Sequence, residues 1–266
     1  MFDFTIYLSA LAVLLLAGIA GWIFSYARQN VTIVDSLWAL FFLLAALTCV
    51  LLTPLPGPRA PIIIVLVTVW AARLSGYLSW RNWGKPEDHR YQAIRRRNEP
   101  GFAFKSVYLV FGLQAVLAWI IAAPLVAGIA GQTPLGLLDY VGIALWTIGF
   151  LFETVADWQL TRFKANPDNQ GKVMDRGLWR STRHPNYFGE ACLWWGIWLI
   201  AASAGGWWTI FSPLLMTVLL LKVSGVALLE KDISERRPAY RDYIARTNAF
   251  IPGPHRRSLS GEKEPA

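Results

Sequence analysis

Long uncharged apolar runs recur through this 266-residue chain, and they limit its fold more than any other feature. Read for such runs, the sequence predicts helices at about 4–27, 32–53, 61–82, 105–130, 136–160, 186–203 and 206–230. A span needs about 20 apolar residues to cross a hydrocarbon core about 30 Å thick. Seven spans therefore consume most of the 55% of residues that are hydrophobic, and only 16% of the chain is charged. The expectation is an all-α, multi-pass membrane bundle of seven helices forming one domain over 1–252, with a polar tail at 253–266. The composition excludes a disordered chain, a disulfide scaffold and a large extracellular module. Cys49 and Cys192 both fall inside apolar runs, so no disulfide framework or metal site is expected.

The connections sort by charge. Pro54, Pro56, Gly57, Pro58 and Pro61 break the chain after the second run, Gly131 to Pro134 after the fourth, and Gly205 with Gly206 after the sixth. The last two breaks are short and uncharged. Twenty of the 25 Lys and Arg residues sit instead in 81–103, 161–185 and the segment after 230, all on one side if the spans alternate. Positive charge marks the cytoplasmic side, which puts the N-terminus outside and the C-terminus inside. Met1 to Thr5 carries Asp3 and no basic leader, so it reads as the start of the first span. The net charge of +8 is thereby assigned to topology and anionic lipid, not to nucleic acid.

Ionisable groups inside spans are costly and each needs a partner or a purpose. Asp35 opens the second run with Trp38 one turn on, and Arg73 lies between Trp70 and Tyr77 at helical spacing in the third. Glu153 and Asp157 are one turn apart near the cytoplasmic end of the fifth, with Lys164 two turns beyond. An Asp35–Arg73 ion pair joining two helices is the plain structural alternative. The densest polar stretch runs from Trp179 to Glu190 and contains Arg183, His184, Asn186, Tyr187 and Glu190 just before the apolar run of Trp194, Trp195 and Trp198. Pro185 there suits the first position of a helix. No GxGxxG or GxxxxGK[ST] pattern occurs, so a soluble nucleotide-binding fold is not expected.

Arg183-His184-Pro185-Asn186-Tyr187 with Glu190, then Glu230, Tyr240-x-x-Tyr243 and Ile251-Pro252, resembles the C-terminal half of the integral-membrane steroid 5-alpha-reductase family. The Trp70-x-x-Arg73-Leu-Ser-Gly-Tyr77 stretch and Asp35 look most like its bacterial-type branch. The resemblance covers nearly the whole chain and is strongest over about 150–252, the expected cofactor half. It implies NADPH as cofactor and reduction of the double bond of a 3-oxo-4-ene steroid or similar lipophilic enone.

By that likeness Asn82, Lys85, Asp157, Lys164, Lys172, Arg176, Arg183, His184, Asn186, Tyr187, Glu190, Glu230 and Tyr240 form the cofactor set, and Asp35, Arg73 and Tyr77 the catalytic set. The expected role of Asp35 is a protonated hydrogen-bond donor in an apolar cavity. The RHPxYxxE pattern is shared with membrane methyltransferases such as the isoprenylcysteine carboxyl methyltransferases, so S-adenosylmethionine-dependent methyl transfer stays open, as does non-enzymatic lipid binding. The further expectations are a lipophilic substrate, contact with membrane lipid, no nucleic acid, a monomer, and a site mouth facing the cytoplasm of a bacterial inner membrane or the endoplasmic reticulum.

Overall fold

The computed structural model describes residues 2–223, 225–230, 233 and 238–256, and every regular element among them is helical. Lys231, Arg236, Arg237, Arg257 and Lys263 of the basic C-terminal segment, and residues 257–266 of the expected polar tail, lie outside the described residues. Three long helices come first: α1 (Phe4–Arg28), α2 (Ile33–Leu52) and α3 (Ala60–Asn82). A short charged helix, α4 (His89–Asn98), precedes α5 (Phe102–Ala130), which contains a π-helical stretch at Val107–Gly112. Then come α6 (Leu137–Ala165), α7 (Pro185–Ser203), α8 (Trp207–Val223), α9 (Val226–Glu230) and α10 (Tyr240–Arg246).

Five of these helices, α1, α2, α3, α5 and α6, are long and apolar enough to cross a membrane. They make the chain a membrane protein by length and composition. The sixth expected run forms α7 as read, starting at Pro185. The seventh differs from its expected 206–230: the apolar helix ends at Val223, and Val226–Glu230 is a separate turn. The charged helix α4 was not expected at all.

The chain forms two compact units, Met1–Tyr140 with Ile197–Ser212, and Val141–Gly196 with Pro213–Ala266. In the first, α2 packs along both α1 and α3 and buries Phe41, Phe42, Ala45, Ala46 and Cys49, while α3 contributes Ile63, Val67, Trp70 and Ala71. α5 closes on α1 through a reciprocal pair: the Tyr7 hydroxyl donates to the Trp119 carbonyl and the Trp119 indole to the Tyr7 carbonyl, both at 2.8 Å. The 53–59 connection is pinned at Gly57, whose N–H donates to the Ile129 carbonyl at 2.8 Å. A Cβ at Gly57 would overlap the Gly131 carbonyl, so no other residue fits.

At the end of this unit where α3 begins, Arg59 and Asp139 are both wholly buried and form a two-pronged ion pair at 2.7 and 2.8 Å. In the second unit α6 and α7 approach backbone to backbone. Gly149 lies against Gly189 and Gly196 against Gly142, so closely that a Cβ on Gly189 would stand 2.5 Å from the Gly149 carbonyl oxygen.

Candidate functional site

Two polar clusters carry the expected residues, one in each unit. In the first, the α1–α2 turn is stitched to the segment before α4. The Val31 N–H donates to Glu87 at 3.0 Å, the Asp88 N–H to the Thr32 hydroxyl at 2.9 Å, and the Asn30 amide to the Lys85 carbonyl at 3.3 Å. Asp88 caps α4 by accepting from the Arg90 N–H. These ties seat α4 so that Arg90 donates to Asp35 at 2.7 Å and the Tyr91 hydroxyl donates to the other Asp35 oxygen at 2.5 Å. Gln114, just past the π-helical stretch of α5, donates to the Tyr91 oxygen at 3.3 Å.

The electrostatics of this cluster follow from its pairings. Burial would pull the Arg90 guanidinium down, but Asp35 and Asp88 together push it above its ordinary value. Burial and then the Asp35 charge push the Tyr91 phenol well up, so it remains a proton-bearing donor. Glu87 and Asp88 run the other way: against the effect of burial, hydrogen bonds from Arg95 and Val31 hold Glu87 below the usual carboxylate range, and Arg90 does the same for Asp88.

Asp35 therefore accepts from two donors, where a donor in an apolar cavity was expected. Its partners Arg90 and Tyr91 were missed because they lie 55 and 56 residues away in a segment that reads as a charged loop. One signal was available: Gln114 is the single amide in the uncharged stretch 107–130.

Arg73 and Tyr77 do come together, the guanidinium 5.5 Å from the ring, and Arg81 lies 5.6 Å from the same ring. Asn82 accepts from Arg81 through its carbonyl, while its buried amide nitrogen has no hydrogen-bond partner; Lys85 is exposed.

In the second unit the stretch 177–184 is clasped by α10 and the segment after it. The Arg183 N–H donates to the Asn248 carbonyl, the Gly253 N–H to the Ser181 carbonyl, and the buried Tyr243 hydroxyl to the Trp179 carbonyl at 2.5 Å. Arg183 grips Glu230 with two prongs at 2.8 Å and turns a third nitrogen to the Thr247 carbonyl at 2.5 Å. His184 reaches the same Glu230 oxygen at 2.8 Å and lies parallel to the Tyr187 ring at 5.5 Å. Although burial alone would lower it, Glu230 holds the Arg183 guanidinium above its ordinary value.

Arg183, expected among the cofactor contacts, thus spends its donors inside the protein, and its role with Glu230 and His184 is to lock the turn that launches α7. The Tyr240 and Tyr243 rings meet edge to face at 5.2 Å.

The group that remains directed elsewhere is Asn186. Its amide nitrogen donates to Asp157 at 3.3 Å, and its buried carbonyl oxygen has no partner. Asp157 is itself buried, as are Glu153 and Glu190. The Thr154 hydroxyl, between the two acids of α6, is a second buried polar atom with no partner, and no feature of the sequence pointed to it. Lys164, Lys172 and Arg176 are exposed on or just beyond the end of α6, and no salt bridge joins Lys172 or Arg176 to an acid among the described residues. Among the described residues no group of three metal-ligating side chains occurs.

An all-helical membrane protein with a buried acid-and-amide cluster behind a locked Arg-His-Pro turn is the class these features define. The chain belongs to the family described as "Protein of unknown function (DUF1295)", which matches residues 21–247 and includes steroid 5-alpha-reductase-like proteins. It is 28% identical over 275 residues to an uncharacterized protein of Schizosaccharomyces pombe, covering 90% of this chain and 78% of that protein. No solved structure matches.

Proposed function

We propose that this chain is an NADPH-dependent reductase of lipophilic enones, 3-oxo-4-ene steroids among them, built on seven spans with the cofactor entering from the cytoplasm. The observation that carries the reading is the Asn186 carbonyl, buried without a partner in a nest of acceptors. A buried acceptor left unpaired costs about 1–3 kcal/mol, and the donors of a carboxamide or a ribose satisfy it. The residues present fit the cofactor: Asn186, Asp157 and Thr154 suit its hydrogen-bond donors, and exposed Lys164, Lys172 and Arg176 suit its phosphates.

When bound, NADPH would supply a hydride to the carbon beta to the substrate carbonyl, and a proton taken up from water at the alpha carbon would complete the saturated ketone. The protein's part is to answer the charge that then gathers on the carbonyl oxygen, where an aimed donor lowers the barrier most. By the family resemblance, Arg73 and Tyr77, which come together on α3, are the donors proposed for that role. Asp35 acts one step back, holding Arg90 and Tyr91 in place.

One observation favours the second reading, methyl transfer from S-adenosylmethionine: the buried acids Glu153, Asp157 and Glu190 also suit an ammonium group. Purified protein equilibrated with each cofactor, freed of unbound ligand and assayed on an enone panel separates the two. The reductase reading expects retained reduced-nicotinamide absorbance and a saturated ketone product. It expects Asn186→Ala to weaken NADPH about tenfold or more, and Asp35→Asn to lower turnover with NADPH still bound. Retention of S-adenosylmethionine without NADPH overturns it.

A further inference from the structure

The end of the first unit where α1 and α3 stop sorts its cations into two sets. Arg90 and Arg95 are spent on carboxylates, the first on Asp35 and Asp88, the second on Glu87. Arg28, Arg96 and Arg97 are exposed, and no salt bridge joins them to an acid among the described residues. Arg28 is held by rings instead, its guanidinium 5.3 Å from Phe24 and 5.3 Å from Trp83. An arginine stacked this way is oriented before anything binds, and its fork of N–H donors matches a phosphate.

The surroundings are those of a bilayer interface. Trp83 and Phe104 are 71% and 63% exposed, and the Tyr26 ring packs 5.5 Å from Phe104 on the other flank of α1. Aromatic side chains of this kind collect at the level of lipid headgroups. Below Arg28, the ridge of α1 that ends in it presents Leu16, Ala20 and Phe24, all exposed and each four residues from the next. α4 is brought up to the same place by Arg95, which reaches the carbonyl of Gln29 at 3.5 Å.

We infer that this surface is a binding site for an anionic phospholipid, its phosphodiester on Arg28, its surrounding charge met by Arg96 and Arg97, and an acyl chain along the α1 stripe. A soluble polyphosphate shares the charge but has no use for the apolar stripe, so the lipid is the occupant. The inference rests on the membrane reading of the helices and is independent of the reductase chemistry.

Native mass spectrometry of the full chain, released from detergent containing equimolar phosphatidylglycerol and phosphatidylcholine, reads the preference directly. Phosphatidylglycerol adducts are expected in excess, falling about fivefold for each cation removed in Arg28→Gln and Arg96→Gln/Arg97→Gln. Equal adducts of the two lipids overturn the inference, and so does an excess unchanged in the triple variant. Should that variant fail to fold, a salt series on the unsubstituted chain decides, since a preference that survives about 0.5 M salt is not electrostatic. Displacement of the lipid by inorganic pyrophosphate rejects a lipid as the occupant. None of these readouts involves NADPH, so failure here leaves the reductase proposal standing, and the reverse.

Discussion

A guanidinium with no exposed surface is tolerable only when its donors are used, and Arg59 shows how complete that use is. Beyond Asp139 it reaches the Thr133 carbonyl at 2.7 Å, the Pro134 carbonyl at 2.9 Å and the Ser203 hydroxyl at 3.0 Å. Asp139 is completed by the Gly136 N–H and by Ser203, both at 2.8 Å. Removing one partner strands a buried charge, so Arg59→Met is expected to cost about 3–5 kcal/mol, measured by the unfolding midpoint in detergent. Adding Asp139→Leu is expected to recover much of that loss, because the stranded carboxylate goes with it.

Glu87 shows the same logic at a wetter site. Its carboxyl is held below the usual range, so its share of stability is in full force above the unfolded carboxylate pKa of about 4.3 and fades as pH falls through the lower folded value. Hydrogen exchange of the α4 amides should therefore accelerate as pH falls below about 4, after correction for intrinsic rates. In Glu87→Gln that pH dependence should vanish. Neither site was readable in the chain. Asp35 stood out by being charged in an apolar run, but its neighbours are set by a turn of the backbone that brings residues 85–91 under α1 and α2.

At the scale of elements, six of the seven apolar runs were readable to within about five residues, the seventh ended early at Val223, and the helix without an apolar run was not readable. α1, α2 and α3 begin and end within one residue of the expected limits because proline, glycine or polar residues bound each run. α4 holds Arg90, Arg95, Arg96 and Arg97 and has no apolar period; it is a helix because Asp88 caps it and Tyr91 and Ile94 pack into the cluster with Phe102 and Phe111. The approach of α6 and α7 was equally hidden, since Gly142 and Gly149 are spaced as Gly189 and Gly196 are, but only pairing in space gives that spacing a meaning.

It has a clear test. Gly189→Val places atoms against the Gly149 carbonyl and the Glu153 backbone, and is expected to cost about 1–3 kcal/mol or more. Because the same contact sets Asp157 against Asn186, the reductase proposal expects NADPH retention to fall with it. Gly76 is the matched control: it lies in α3 with nothing within 4 Å of an added Cβ, so Gly76→Ala should raise the unfolding midpoint, by about 0.5–1 kcal/mol.

For the whole molecule the open question is whether α7 and α8 cross as the five long helices do. α7 is amphiphilic at its start, with Asn186 and Glu190 in its first turns, and α8 falls short of the length of the other spans. Yet α7 runs antiparallel to α6 along its whole length. Gly189 faces Gly149, Gly196 faces Gly142, and Ser203 reaches Asp139 at the far end. A second helix packed on a span either shares its crossing, which gives seven, or does not, which leaves five.

The two counts place the α7–α8 turn on opposite sides, and cysteines at exposed positions distinguish them. In intact cells a membrane-impermeant maleimide should label Leu135→Cys, in the α5–α6 turn, and spare Gln170→Cys, on the basic loop after α6. With seven spans Trp207→Cys is labelled together with Leu135→Cys; with five it is spared together with Gln170→Cys. Protection of Trp207→Cys in cells with labelling after lysis would remove the seven-span arrangement, whereas the cytoplasmic placing of Asn186 and Asp157 stands or falls with Gln170→Cys.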